Sequence, residues 1–419
     1  MINNLLNLIE ESKSVYHAEK ALSVYLEKNK FKKLDIEKPF NLKKGGKFYI
    51  AKDGAVLAFR IDTTDLFKIV VSHTDSPTLK IKSNPDIDAN GYHLLNMEVY
   101  GGPILNTWFD KPLSIAGVVQ YLEKDKMVEK LVDFNRPICT IANLAIHMNR
   151  EVNNGVKIDK QKDLKPVLQV YGEEADKEKF ADILAKELGI DKESILSYEL
   201  NLYNVHPPIL FGLENEFVQS ARLDNLSMAI SSIEGLVKSK KGVGISMAAC
   251  LNNEEIGSQT LSGGDSNFLG NMLERIAINL GMNREDYLIA LEKSFAISAD
   301  LAHAVHPNFS DKADLTNRPV INKGFVIKNS SNKRYATDSK SEGYLVKLAK
   351  KNKIDYQTFF NNSNEVGGSS LGPIVSAKLP MRTIDIGNPI LAMHSERETG
   401  GVKDYEGIIK LFTAFYGDK

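Results

Sequence analysis

The apolar positions along this chain follow two rhythms. Between residues 2 and 28, Leu5, Leu6, Ile9, Ala18, Ala21, Leu22, Tyr25 and Leu26 recur at helical spacing, which predicts a helical opening. Apolar runs at 47–51, 55–60 and 67–72 then predict strands, and Pro77 closes the last of them. From about residue 83 the rhythm shortens. Alternating segments at 96–100 and 113–119 are separated by turn residues. A further apolar run covers 137–147, a Lys-rich polar stretch covers 149–165, and a helix-like pattern covers 173–188. After Phe217 longer periods return. Helices are predicted over 223–239, 267–280, 284–293, 339–351 and 405–416, with strands at 243–250, 295–299, 356–360 and 390–393. Alternating strands and helices predict an α/β fold, a mixed twisted sheet flanked by helices. The expected division is a helix-flanked domain from 1–82 plus 216–419, with a β-rich insertion over 83–215.

A length of 419 residues agrees with two domains. There are 53 basic and 54 acidic residues. That balance supplies no electrostatic case for a nucleic-acid or membrane partner. No stretch approaches the roughly 20 apolar residues of a membrane span. The first twenty residues carry Glu10 and Glu11 and lack the basic start of a signal peptide, so a cytoplasmic protein is expected. Cys139 and Cys250 sit in apolar surroundings and read as buried thiols, without a disulfide framework.

Chemistry enters at the ends of the predicted strands. His73, the pair Glu254-Glu255, Asp300 and His394 each follow a short apolar run, and Asp224 lies at the start of a predicted helix. In an open α/β sheet, ligands gather beyond the C-terminal ends of the strands. Two His and three carboxylates suit Zn²⁺, Mn²⁺ or Co²⁺. That supply fits a two-metal site bridged by Asp224, with ions roughly 3.5–4 Å apart. Adjacent Glu254 and Glu255 point different ways, so one can hold metal while the other faces water. Asp75, two residues beyond His73, is placed to steady its ring. Each residue also has a plainer reading. His73 could be a satisfied core histidine, Asp224 a helix cap, and Glu254, Glu255, Asp300 and His394 solvated surface groups.

Several segments carry a resemblance. They are Ser72-His73-Thr74-Asp75-Ser76-Pro77, Arg222-Leu223-Asp224-Asn225, Asn253-Glu254-Glu255-Ile256-Gly257-Ser258, residues 297–308 and Ala392-Met393-His394-Ser395. Tyr16-His17-Ala18 and Asn143-Leu144-Ala145-Ile146-His147 add to them. In this order, nearly end to end, the chain resembles the M18 aminopeptidases, the aspartyl aminopeptidase family of cocatalytic metallopeptidases. The resemblance implies a zinc-peptidase-like catalytic domain with an inserted dimerisation domain. It implies two divalent metal ions per subunit, Zn²⁺ foremost, held by His73, Asp224, Glu255, Asp300 and His394. It implies Glu254 as general base and Asp75 as the carboxylate that supports His73. His147 matches a histidine that reaches a neighbouring subunit's site, as a substrate contact or a metal ligand. His303 and Lys328 match substrate-side positions, with Lys328 the counter-ion for an acidic first residue. Peptides are the implied substrates, and a tetrahedral dodecamer built from dimers the implied assembly. Ala142-Asn143 and Glu396 depart from the pattern, which bears on acidic specificity more than on peptidase chemistry.

Two rival readings exist. Gly368-Ser369-Ser370-Leu371-Gly372 fits the G-x-S-x-G pattern, with Asp385 and His394 following in hydrolase order. Pro373 argues against the helix that such a serine needs, and Asp385 and His394 follow too closely for separate strands. A glycine-rich substrate loop is the other reading of that segment. The second rival is a non-catalytic assembly protein, whose mark would be loss of Glu254 or of a ligand.

Overall fold

A computed structural model describes residues 2–171 and 178–419. The chain divides into two compact units. The first comprises the stretch up to Ser76, Pro208–Met393 and Glu398–Lys419; the second comprises Pro77–Pro207 and His394–Arg397.

Helices α1 (Ile2–Glu11) and α2 (Val15–Lys28) open the first unit. The helical rhythm breaks between them, because the Ser14 hydroxyl accepts the His17 N–H and starts α2 afresh. Strands β1 (Lys32–Lys33), β2 (Lys47–Lys52), β3 (Ala55–Ile61) and β4 (Phe67–His73) follow. The second unit contains β5 (Thr78–Ala89), β6 (Tyr92–Tyr100), β7 (Leu113–Glu123), β8 (Lys126–Asp133), β9 (Val167–Val170), α3 (Phe180–Leu188) and β10 (Ile195–Asn204). The helix expected over 173–188 begins at Phe180; residues 173–177 lie outside the described residues.

The first unit resumes with β11 (Ile209–Phe211), β12 (Phe217–Ser220), α4 (Leu223–Lys238) and β13 (Ile245–Leu251). Helices α5 (Phe268–Asn279) and α6 (Arg284–Glu292) lead to β14 (Phe295–Ala299), β15 (Ala302–His303) and β16 (Phe325–Lys328). Then come α7 (Ser339–Lys351), β17 (Tyr356–Phe359), α8 (Leu371–Lys378) and β18 (Arg382–Gly387). Strands β19 (Pro389–Leu391) and β20 (Glu398–Gly401) precede the closing helix α9 (Val402–Gly417).

The first unit is built on a nine-stranded mixed sheet, ordered β1-β2-β3-β13-β4-β14-β18-β16-β17. Its centre, β13-β4-β14-β18, is parallel throughout. Every residue of β3, β4 and β13 is buried, which is why these strands read as largely apolar runs rather than alternating ones. One apolar cluster joins α1, α2, α4, α7 and α9 to the sheet, and another joins α5, α6 and α8 to it. Helices therefore cover both faces. The second unit is a six-stranded antiparallel sheet, ordered β8-β7-β10-β5-β6-β9. Phe180, Leu184 and Leu188 of α3 pack into its core. The fold is thus mixed α/β with a β-rich insertion, as the hydrophobic rhythm predicts.

Two local expectations fail for clear reasons. Pro373 does not prevent a helix; it is the third residue of α8. First-turn N–H groups have no intrahelical partner, so proline is tolerated there. The strand expected at 390–393 ends at Leu391 and lies in a separate five-stranded sheet, β11-β12-β20-β19-β15. Beyond it, Ala392 and His394 take left-handed φ values of 57° and 67°, and His394 joins the second unit.

Candidate metal centre

Parallel pairing sets the C-terminal ends of β4, β13 and β14 on one edge of the large sheet. Leu251 is the register partner of His73, so the turn after β13 starts beside that histidine. Asn253 bends this turn in a left-handed conformation, φ 60°, as Asn accepts more readily than most residues. Glu254 and Glu255 follow at once in a single 3₁₀ turn. Asp300 directly follows β14, and its carbonyl sits under Gly387 of β18. A Cβ on Gly387 would stand 1.9 Å from that oxygen, so only glycine allows this approach. Asp224 is the second residue of α4, after Arg222 at φ 60°.

These elements gather one imidazole and five carboxylates. His73 is almost wholly buried, 1% exposed. Its Nδ1 faces Asp75, 3.2 Å from Oδ1 and 3.0 Å from the carbonyl. Its Nε2 lies 3.7 Å from Asp224 Oδ1, 3.6 Å from Asp300 Oδ1 and 4.0 Å from Glu254 Oε2. Asp75 does more than hold the ring. Its two oxygens accept the backbone N–H groups of Glu254 and Glu255, each at 3.1 Å. One carboxylate therefore ties β4 to the turn after β13.

The electrostatics follow from burial and crowding. Burial pushes the Glu254 carboxyl up to about 7; His73 pulls it down, and Asp300, Asp224 and Asp75 push it further up. Burial disfavours charge on His73, yet Asp300, Asp75 and Glu254 outweigh it and raise the imidazole well above its ordinary value. Burial also works against ionised Asp300, but Lys328 and His73 hold it well below the usual carboxylate range. Lys328 is 3% exposed, with Nζ 3.7 Å from Asp300 Oδ2 and 3.1 Å from the Leu301 carbonyl.

So much buried negative charge calls for a cation. His73, Asp224 and Glu255 each offer one ligand atom, and the three atoms lie within 4.8 Å of one another. One imidazole and two carboxylates fit a borderline divalent ion such as Zn²⁺. With Nδ1 turned to Asp75, Nε2 is the nitrogen left to bind metal, which would displace a proton from it.

The other candidates have surroundings of their own. His303 is exposed on the wall of a cavity of about 420 Å³, with Phe359, Phe309 and Ile390. His147 is exposed in a short turn of the second unit, Ile146–Met148. His394, also in that unit, has Nδ1 3.1 Å from the Gly102 carbonyl. Glu396 is buried there against the Asn204 amide, and Asn143 bonds to Asp110. Ser370 is 1% exposed, and its hydroxyl donates directly to Asp385, with no imidazole between them. Asp385 is on β18, only Asn388 separates β18 from β19, and His394 follows β19, so short spacing does not preclude separate strands. The serine reading fails instead because this hydroxyl is sealed against a carboxylate.

Sequence reasoning missed three residues that hold the centre. Ser76 donates to the Asp224 carbonyl, Glu398 accepts the Asp224 N–H, and the Asn225 amide donates to the Ala299 carbonyl. Ser76 and Asn225 sit inside quoted motifs; nothing in the spacing marks Glu398.

A helix-flanked mixed sheet bearing a His/carboxylate cluster at its C-terminal edge fits a metal-dependent enzyme. Comparison with known proteins narrows the class. A family model described as "Aminopeptidase I zinc metalloprotease (M18)" matches residues 8–416. A relative from Clostridium novyi (strain NT), "Probable M18 family aminopeptidase 2", is 44% identical over 423 residues, covering 99% of this chain and 98% of the relative. The solved Ape4 and Nbr1 complex contains a chain with TM-score 0.95 and 33% identity, matched over 99% of this chain and 85% of that one. The Saccharomyces cerevisiae mApe1 dodecamer gives TM-score 0.86 at 25% identity, over 99% and 95%. The chain belongs to the M18 family of aminopeptidases, and it is a metal-dependent aminopeptidase.

Proposed function

We propose that this aminopeptidase removes an acidic first residue, Asp or Glu, from peptides in the cytoplasm, using two divalent ions and Glu254 as general base. The observation that carries the reading is the buried cluster: three ligand atoms within 4.8 Å, and beside them a carboxyl raised to about 7. His73, Asp224 and Glu255 would hold metal, Zn²⁺ foremost, with Asp300 at 3.6 Å from the His73 ring joining them. His394 keeps its place in the ligand set by resemblance alone. When bound, such ions polarise the peptide carbonyl and make water acidic enough to attack near neutral pH.

The chain's own residues divide the rest of the work. Asp75 orients the His73 ring and, through two N–H bonds, the turn bearing Glu254 and Glu255. Glu254 takes the proton of the attacking water and passes it to the leaving amine, a task suited to a carboxyl titrating near working pH. Glu254→Gln should leave metal content intact while turnover falls roughly 10²–10⁴-fold. Unchanged turnover would sink the role.

Lys328 is the reason to favour acidic substrates. It is a buried cation beside the cluster, and an incoming carboxylate would share it with Asp300. Lys328→Met should lower kcat/KM for Asp-headed peptides more than for Ala-headed ones. An unchanged ratio removes Lys328 from specificity. His303 and its cavity are the proposed wall of the substrate site.

A dodecamer of dimers is proposed from the mApe1 relative. The second unit would make dimer contacts and carry His147 to a neighbouring subunit. Leu144, Ile146 and Met148 around that histidine are exposed by 55%, 50% and 69%, which suits a segment covered on assembly.

A further inference from the structure

Asp224 is gripped from both sides of its backbone. Arg222 before it is left-handed, and Asp224 (φ −81°, ψ 107°) and Asn225 (φ −121°, ψ 17°) are non-helical within the first turn of α4. The helix ladder cannot fix this peptide, since the first N–H groups of a helix have no intrahelical acceptor. Two distant side chains do so. Glu398 at the start of β20 accepts the Asp224 N–H, with Oε2 2.9 Å away. Ser76, three residues past β4, donates its hydroxyl to the Asp224 carbonyl at 2.6 Å. Glu398 is 2% exposed and stands in register with Ser220, the last residue of β12. The chain that enters α4 leaves from that very residue. Pairing of β12 with β20 thus sets where Glu398 stands, and Glu398 meets Asp224 four residues further on. A carboxylate accepting an N–H makes a charge-assisted bond, stronger than a neutral one.

We propose that Glu398 and Ser76 are positioning residues that aim the Asp224 carboxylate at the metal centre. The inference rests on Asp224 being a metal ligand. Groups that orient ligands from behind typically change metal affinity by about 10–100-fold when lost.

The test measures Zn²⁺ affinity by chelator competition, with thermal unfolding as a control for folding. Glu398→Met keeps length and removes the acceptor; Glu398→Gln keeps an acceptor oxygen; Ser76→Ala removes the second grip. Expected are losses of roughly 10–100-fold in affinity for the Met and Ala variants and an affinity near the parent's for the Gln variant. In turnover, kcat should fall with KM little changed. Parent-like affinity in Glu398→Met or Ser76→Ala overturns the inference, as does a Gln variant as weak as the Met variant. If Glu398→Met fails to fold, Ser76→Ala decides. Asp224→Ala separates the two levels. If it binds metal like the parent, the ligand reading itself fails. If it loses metal while the Met and Ala variants keep it, only the positioning role fails.

Discussion

Asp75 and Asp404 show how much one buried carboxylate can govern. Asp75 was legible as a partner of His73, because two residues along an extended chain share a side. Its grip on the Glu254 and Glu255 amides was not legible, because that depends on β13 lying next to β4. Asp404 had no signal at all. It sits in the first turn of α9 and accepts the N–H groups of Asn322 and Gly324 at 2.6 and 2.9 Å. Burial nonetheless pushes its carboxyl up to about 7. An unfolded Asp titrates near 3.9. Between those values the folded state binds more protons, so this group's contribution to stability falls as pH rises from about 4 to about 7 and is flat above. Asp404→Asn keeps an acceptor and removes the titration. The variant's Tm minus the parent's should therefore climb across that window and then level. A constant difference would show that Asp404 stays ionised in the folded protein.

At the scale of elements, the strand ends were readable and the strand neighbours were not. His73, Glu254, Glu255 and Asp300 do lie at the C-terminal edge of one sheet, as their apolar runs predict. His394 breaks the pattern because β19 is too short to reveal which sheet it joins. Strand β18 brings Gly387 against Asp300, and helix α8 was hidden by a proline in its first turn. That close approach yields a contrast. Gly387→Ala must push the Asp300 backbone aside, so activity should fall by about 100-fold, the cost of misplacing a catalytic group by roughly an ångström. Gly407→Ala in α9 meets no atom within 4 Å outside its own helix. It should instead stabilise the protein by about 0.5–1 kcal/mol. Urea unfolding and kcat measured on both variants check the pair. Equal behaviour would mean β18 yields without cost.

For the whole molecule, the divided first unit and the β-rich second unit frame the question of assembly. Composition was silent on it: a net charge of −1 neither favours nor opposes association. The exposed apolar residues around His147 speak for it. Light scattering should give a mass near twelve subunits, and Met148→Glu should lower it. A monomer at micromolar concentration would remove both the dodecamer and the cross-subunit role of His147. One further consequence lies in the order of strands. β4 is flanked by β13 and β14, yet both are encoded far downstream. At the usual 5–20 residues per second, the ribosome needs roughly 10–35 s after finishing His73 to deliver its first neighbour, Leu251. During that interval a wholly buried, largely apolar strand has no mate, while the six strands of the second unit are made and completed at Asn204, before β13 appears. Nascent chains arrested before residue 245 should therefore be the form of this protein that chaperones hold longest.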